Sequence, residues 1–237
     1  QGMRLKANKE KLRFFMNDYL IGKKIVVIGA SGLLGIKIIE ALLLQGAKVI
    51  AADINLENLK KTVTNNKNIE LVQLDILNQT AMKDFFANNA GLTGAINTAY
   101  PRNKSYGAHF LNVTLEDFNE NLSMNLGSAF LFTQQCAIYF ENHKTPFSLV
   151  NISSIYGVIA PDFSVYNNTN MTMPVEYAVI KSGLLHLNKY AVKYVSDSNF
   201  RINSVSPGGI FDDQPEAFLD ATKQKHMVLG CLIQRIC

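Results

Sequence analysis

Tyr177 and Lys181 stand four residues apart in "YAVIK", and a serine pair, Ser153-Ser154, lies upstream. A free phenol is a weak acid, with a pKa of about 10. Side chains four apart share one face of a helix, so the Lys181 ammonium is expected beside the Tyr177 phenol, where it favours the phenolate. Such a pair can pass a proton to or from a carbon–oxygen group near neutral pH. The spacing alone is cheap, because helices bring Tyr and Lys four apart by chance. A second cluster gives it context. Gly29-Ala30-Ser31-Gly32-Leu33-Leu34-Gly35 joins a strand-like run to a helix-like run. Glycine permits the tight turn and lets a pyrophosphate approach main-chain N–H groups. The helix N-terminus adds partial positive charge, and Gly35 permits close packing of helix on strand. A third element, Asp53, ends the next strand-like run. A carboxylate there accepts the ribose hydroxyls of NAD and repels the 2′-phosphate of NADP. No Arg or Lys follows it directly, which also favours NAD. The competing reading of Asp53 is a cap for the helix begun by "INLEN". Asp75 has the same two readings, adenine edge or helix cap.

These residues need a scaffold, and the chain alternates strand and helix signals from residue 24 onward. "KIVVIG" (24–29), "KVIAAD" (48–53), "IELVQL" (69–74), "GAINTA" (94–99), "FSLVNIS" (147–153) and "FRINSVS" (200–206) read as strands. Helical patterns cover 33–46, 55–65, 78–89, 114–142 and 175–195. Apolar strands separated by helices predict an α/β fold, a doubly wound parallel sheet of Rossmann type with helices on both faces. Ligands in such sheets bind beyond the carboxyl ends of the strands.

On these motifs the chain, from about Asn17 to Glu216, resembles the short-chain dehydrogenase/reductase family. The glycine turn is a variant of the family's TGxxxGxG. "NTAY" (97–100) stands where NNAG is usual. Asn125 in "MNLGSAF", the serine in "VNISS", "YAVIK" and "RINSVSPGG" follow in family order. The resemblance implies catalytic roles for Asn125, Ser154, Tyr177 and Lys181. Tyr177 would exchange the proton and Ser154 would bind the substrate oxygen. Lys181 would lower the Tyr177 pKa and hold the nicotinamide ribose. Asn125 would hold a water on a proton path. Ser153 competes with Ser154, which is preferred because the second serine usually carries the role. The implied cofactor contacts are Gly29, Ser31, Gly32, Leu33, Leu34, Gly35, Asp53, Asp75, Ile76, Asn97, Ala99, Tyr177, Lys181, Pro207, Gly208 and Ile210.

Departures from the pattern sharpen the expectation. Thr98 and Tyr100 replace the second Asn and the Gly of NNAG. The interval from Ser154 to Tyr177 is longer than in compact members, and its excess, 161–174, is rich in Asn and Thr. "NTAYPR", "SSIYGVIAP", "MTMPVEYAVIK" and "SPGGIFDDQPE" together resemble oxidoreductases of flagellin-modification and legionaminic-acid-type sugar pathways. That resemblance implies a phosphorylated or nucleotide-linked sugar, with Tyr100, Arg102 and Tyr156 as substrate contacts and Lys104 as a second candidate cation. Two other readings stay open: a sugar epimerase or dehydratase of the extended branch, and a non-catalytic NAD-binding interaction protein.

Composition bounds the rest. The 237 residues suffice for one sizeable domain, and 48% hydrophobic with 18% charged is a globular balance. Residues 1–24 carry seven cations and two acids, +5 of the formal +4, so the remainder is −1. A near-neutral body argues against nucleic-acid binding. No apolar run approaches a membrane span, and no signal peptide is visible. Cys136, Cys231 and Cys237 are scattered, as free thiols of a reducing cytoplasm would be, and the four histidines show no metal-ligand spacing. Residues 1–16 read as a basic appendage ahead of one domain, 17–237. The closing "GCLIQRIC" departs from the family and reads as a frameshift, with the last strand missing from this chain. The full-length parent is expected to be a homo-oligomer.

Overall fold

The computed structural model of the chain describes residues 18–63 and 66–226. The expected appendage at 1–16 and the atypical segment at 230–237 lie outside them. Six strands form one sheet: β1 (Lys24–Ile28), β2 (Lys48–Asp53), β3 (Ile69–Gln73), β4 (Gly94–Asn97), β5 (Phe147–Ile152) and β6 (Phe200–Val205). Their order is β3-β2-β1-β4-β5-β6. The pairings of β1 with β2 and β4, and of β2 with β3, are parallel, with Val27 opposite both Ala51 and Ile96. The helices are α1 (Leu33–Leu44), α2 (Leu56–Thr62), α3 (Gln79–Asn88), α4 (Leu115–Leu122), α5 (Ser128–His143), α6 (Val175–Val195) and α7 (Glu216–His226). This is the expected Rossmann-type architecture. The strands run outward from β1 in one direction, then restart with β4 on its other side, which creates the topological switch point.

The residues fall into two compact units. One comprises the chain to Ala99 with Gln135–Leu149 and Ser198–Arg201. Its core follows from the sequence of its strands. Inside their charged ends, "KIVVI" and "KVIAAD" are apolar because both faces are covered, and Val27, Val49 and Ala51 pack with Ile39, Leu42 and Leu59. An aromatic group adds to it. Phe140 and Phe200 lie 5.2 Å apart, and buried Tyr139 accepts the Leu92 N–H through its hydroxyl. Cys136 is buried and free, and burial holds its thiol well above the ordinary range.

The other unit comprises Tyr100–Gln134, Val150–Asp197 and the chain from Ile202. Here α6 is held by a polar chain, in which Asn151 donates to Asn188 (2.8 Å) and Asn188 donates to Ser204 (2.6 Å). Gly183 takes the Leu126 side chain against the helix, where a Cβ would come within 2.9 Å of it.

Four elements differ from the sequence reading. The helix expected over 114–142 is two helices joined by a π turn, Ser123–Gly127. Helix α7 was read as no element at all. Strand β4 ends at Asn97, short of Ala99, because the Asn97 side chain accepts the Ala99 N–H and the Thr98 hydroxyl donates to the carbonyls of Ile28 and Gly29. The Asn/Thr-rich excursion at 161–174 is also more than a polar loop: it carries a short 3-10 turn, Phe163–Tyr166, whose Tyr166 is buried and stacks on Phe218 at 5.2 Å.

Candidate active site

Gly29, Asp53 and the Ser153-Ser154 pair lie at the carboxyl ends of β1, β2 and β5. In the first unit, Gly29 leaves β1 with φ +75, and a Cβ on it would meet Ala99 N at 2.6 Å. Only glycine permits both the left-handed backbone and that approach. A Cβ on Gly35 would meet the Gly29 carbonyl at 2.4 Å, so the first turn of α1 lies directly on the loop. Gly32 caps α1 without a side-chain bond, and that turn carries no acidic residue. The N–H groups of Leu33, Leu34 and Gly35 therefore start a helix that neither a side chain nor an acid neutralises, the electrostatics an anionic phosphate needs.

Asp53 is buried at the end of β2. Its Oδ2 accepts the Ser31 N–H at 2.9 Å and its Oδ1 accepts the Asn55 N–H at 3.0 Å. It thus ties the glycine loop to β2. Asn55, not Asp53, caps α2 with its side chain. A carboxylate has about four acceptor positions, so two remain for a diol. Asp75 accepts the Leu77 N–H, while Asn78 caps α3, so the capping alternative for Asp75 is filled by its neighbour. Ile76 is buried beside it.

In the second unit, Asn125 lies in the π turn, buried, and its Nδ2 reaches the Pro101 carbonyl at 3.4 Å. Pi turns re-aim a side chain that a regular helix would carry elsewhere. The serines following β5 divide their roles. The Ser153 hydroxyl donates to the Lys181 carbonyl at 3.0 Å and is spent on packing. Ser154 accepts the Tyr156 N–H, and its side chain lies near enough to the Tyr177 hydroxyl to lower that phenol's pKa. The structure therefore brings Ser154, and not Ser153, to Tyr177. Gly157 makes this possible, because a Cβ there would strike the Lys181 backbone at 2.7 Å. After β6, the Pro207 carbonyl accepts the Ile155 N–H, Gly208 is half-buried, and the Ile210 carbonyl accepts from the Gln214 side chain.

Lys181 does share a face with Tyr177, its Nζ 5.6 Å from the ring centroid. The expected acidification of the phenol is not the outcome. Burial raises the Tyr177 pKa above its ordinary value, Ser154 pulls it back, and Tyr156 raises it further. The Lys181 ammonium donates instead to the Ile152 carbonyl at 2.7 Å, and burial pushes its own pKa down to about 8. Desolvation disfavours the charged form of each group, the phenolate and the ammonium alike.

That depression has a measurable consequence. Unfolded, the lysine titrates near 10.5; folded, near 8. Between these values the unfolded chain binds more protons, so the free energy of unfolding should rise with pH from about 8 to about 10. Urea denaturation across that range should show the rise in the native chain and not in Lys181→Met. A variant that keeps it would show that another group titrates.

Tyr100 is the centre of a group that the sequence only partly revealed. Its ring meets Tyr177 edge-on at 5.7 Å and Tyr106 edge-on at 5.7 Å, and its hydroxyl bonds that of Tyr106. The Lys181 Nζ lies 5.1 Å from its centroid on one side and the Arg102 guanidinium 5.5 Å on another. Tyr156 lies close enough to raise both Tyr177 and Tyr166. Tyr106 and Glu176 were missed. Tyr106 sits in a loop with no periodicity to give its direction, and Glu176, next to Tyr177, reads as an ordinary first-turn acid. It is fully buried, with neither oxygen hydrogen-bonded. Among the described residues no group of three His, Cys, Asp or Glu side chains could hold a metal, and no helix is long and apolar enough to cross a membrane.

Comparison with known proteins agrees with this layout. Residues 29–230 match the family described as enoyl-(acyl carrier protein) reductase. Post-translational flagellin modification protein A of Campylobacter coli is 34% identical over 211 residues, 85% of this chain and 82% of that protein. The 3-oxoacyl-[acyl-carrier-protein] reductase of Thermotoga maritima is 27% identical over 208 residues, 81% of this chain and 75% of that protein. A short chain dehydrogenase from Leptospira borgpetersenii, solved with bound NAD+, superposes with a TM-score of 0.76 at 29% identity, covering 88% of this chain and 79% of that one. A strand-to-helix glycine turn, the Asn125, Ser154, Tyr177 and Lys181 positions in order, and these relatives together establish that the chain belongs to the short-chain dehydrogenase/reductase family of oxidoreductases.

Proposed function

We propose that the chain is an NAD-dependent oxidoreductase acting on an alcohol or ketone carbon of a phosphorylated or nucleotide-linked sugar in surface-glycan biosynthesis. The observation that carries the chemistry is Lys181 over the Tyr177 ring at 5.6 Å, with Ser154 beside the Tyr177 hydroxyl. The nicotinamide cofactor, when bound, supplies or accepts the hydride. Tyr177 gives the proton to the substrate oxygen in reduction and takes it in oxidation. Its raised pKa keeps it protonated at neutral pH, which suits the donor role. Ser154 holds that oxygen. Lys181 holds the nicotinamide ribose and Asn125 a water on the proton path. The Gly29–Gly35 loop and the N-terminus of α1 bind pyrophosphate, and Ile76, Asn97, Ala99, Pro207, Gly208 and Ile210 line the rest of the dinucleotide.

Asp53 supports NAD, since its two remaining acceptor positions suit the ribose diol and its charge opposes a 2′-phosphate. The kcat/KM ratio for NAD over NADP should favour NAD, and Asp53→Asn should reduce it about tenfold, the size of a 1.4 kcal/mol change. Equal use of both cofactors by the native protein would remove the NAD assignment. The flagellin-modification relative and the exposed Asn167, Asn168 and Asn170 support a hydroxylated substrate. The cytoplasm is the compartment that supplies both NAD and nucleotide sugars to such a reaction. Exposed Tyr190 and Tyr194, stacked on α6, support self-association. The decisive assay is a panel of sugar phosphates and nucleotide sugars with NAD. Stoichiometric NADH is expected with at least one. Product formed without net NADH would identify an epimerase or dehydratase instead.

A further inference from the structure

We infer that Arg102, seated on Tyr100 and Tyr106, is a prebuilt recognition site for an anionic group of the substrate, a phosphate or a carboxylate. The inference rests on the proposed function only in taking Tyr177 as the reacting centre.

The guanidinium lies 5.5 Å from the Tyr100 centroid and 6.0 Å from that of Tyr106. Stacking of this kind orients the planar fork and leaves its edge N–H groups for a ligand. Arg102 is exposed, and no carboxylate among the described residues pairs with it. Lys181, the other cation against Tyr100, is buried and bonded to the Ile152 carbonyl. The free positive charge beside the tyrosines is therefore Arg102, with Lys104 exposed farther along the same loop.

The loop that carries Arg102 is pinned. Asn103 accepts from Asn121 and donates its own backbone N–H back to the Asn121 side chain, both at 3.0 Å. Its amide also donates to Asp117 at 3.0 Å and Glu120 at 2.6 Å. Asn121 is 1% exposed, so the clasp is anchored inside α4. Asp117 and Glu120 are thus committed to Asn103 rather than to Arg102. On the other side, the Pro101 carbonyl is held by Asn125. Arg102 sits between two fixed neighbours, which lowers the ordering cost of binding.

The phenols add a donor. Two hydroxyls carry two hydrogens, their mutual bond uses one, and one remains. Burial pushes both phenols well above the ordinary tyrosine range, and the buried Glu176 carboxylate pushes Tyr106 further the same way. Both stay protonated and able to donate. From the Tyr177 ring to the Tyr100 ring is 5.7 Å, and from there to the guanidinium 5.5 Å, a span that one small ligand covers. A fork of N–H groups with an adjacent O–H matches the oxygens of a phosphate or carboxylate.

The test needs no turnover. With NAD+ saturating, so that the glycine loop is filled, thermal stabilisation is titrated with inorganic phosphate, with malonate, and with chloride at matched ionic strength. Phosphate or malonate should stabilise the native protein well beyond chloride. Arg102→Met, which keeps an apolar stem on the tyrosines, should weaken that response at least tenfold, and Arg102→Lys should restore only part of it. A tighter response to phosphate assigns a phosphate ester; a tighter response to malonate assigns a carboxylate. Responses equal to chloride, or unchanged in Arg102→Met, would overturn the site. Tyr177→Phe should bind the anion as the native chain does, so failure of the proposed chemistry and failure of this site are read separately.

Discussion

Tyr177→Phe should lower turnover by about a thousandfold, in the range that one positioned proton donor contributes, while dinucleotide affinity stays within a few-fold. The substitution is nearly isosteric. The ring that meets Tyr100 at 5.7 Å and underlies Lys181 is retained, and only the hydroxyl is lost. Tyr177 is half-buried and Ser154 keeps its bond from the Tyr156 N–H, so the structural penalty is about 1 kcal/mol, too small to unfold the protein. The chain has no tryptophan, so NADH fluorescence gives a clean binding signal. Turnover within tenfold of native would remove Tyr177 from the chemistry. Loss of binding along with turnover would mean that the hydroxyl serves cofactor binding rather than proton transfer.

Gly29→Ala should cost more stability than any other single change on the cofactor loop. An alanine at φ +75 pays roughly 1–2 kcal/mol for left-handed backbone. Its Cβ would also stand 2.6 Å from Ala99 N and 2.8 Å from Thr98 C, all main chain that has no rotamer to move. Overpacking of that kind adds about 1–3 kcal/mol, which together is a large share of the 5–15 kcal/mol of a typical domain. Gly91 supplies the control. It has the same φ, +75, but nothing lies within 4 Å of a Cβ placed on it. Urea midpoints should therefore fall modestly for Gly91→Ala and much further for Gly29→Ala, with dinucleotide binding lost only in the second. Equal losses would mean that the approach of the 97–99 segment to the loop costs nothing.

The fold was legible because its signals are local. Runs such as "KIVVI" and "KVIAAD" are strand-like and apolar on both faces, and the glycine spacing between β1 and α1 marks a tight strand-to-helix turn. The break around Asn125 was not legible, since the apolar period runs through 114–142, a lone Gly127 does not by itself end a helix, and a π turn leaves the period almost unchanged. Helix α7 was missed for the converse reason: its residues are mostly polar, and its anchor, Phe218 on Tyr166, is a partner far away in sequence.

The same division holds at the site. From residue types and order alone came the α/β sheet, the glycine loop, Asp53, and the Asn125, Ser154, Tyr177 and Lys181 positions, because backbone conformation and helix period depend on neighbours in the chain. Tertiary structure decided which of two adjacent serines meets Tyr177, since Ser153 is drawn away by the Lys181 carbonyl. It decided that burial, not the neighbouring ammonium, governs the Tyr177 and Lys181 titrations. It also assembled Tyr100, Tyr106, Arg102 and buried Glu176 around that tyrosine. Desolvation and ring packing depend on what the whole fold places nearby, and no local pattern encodes them.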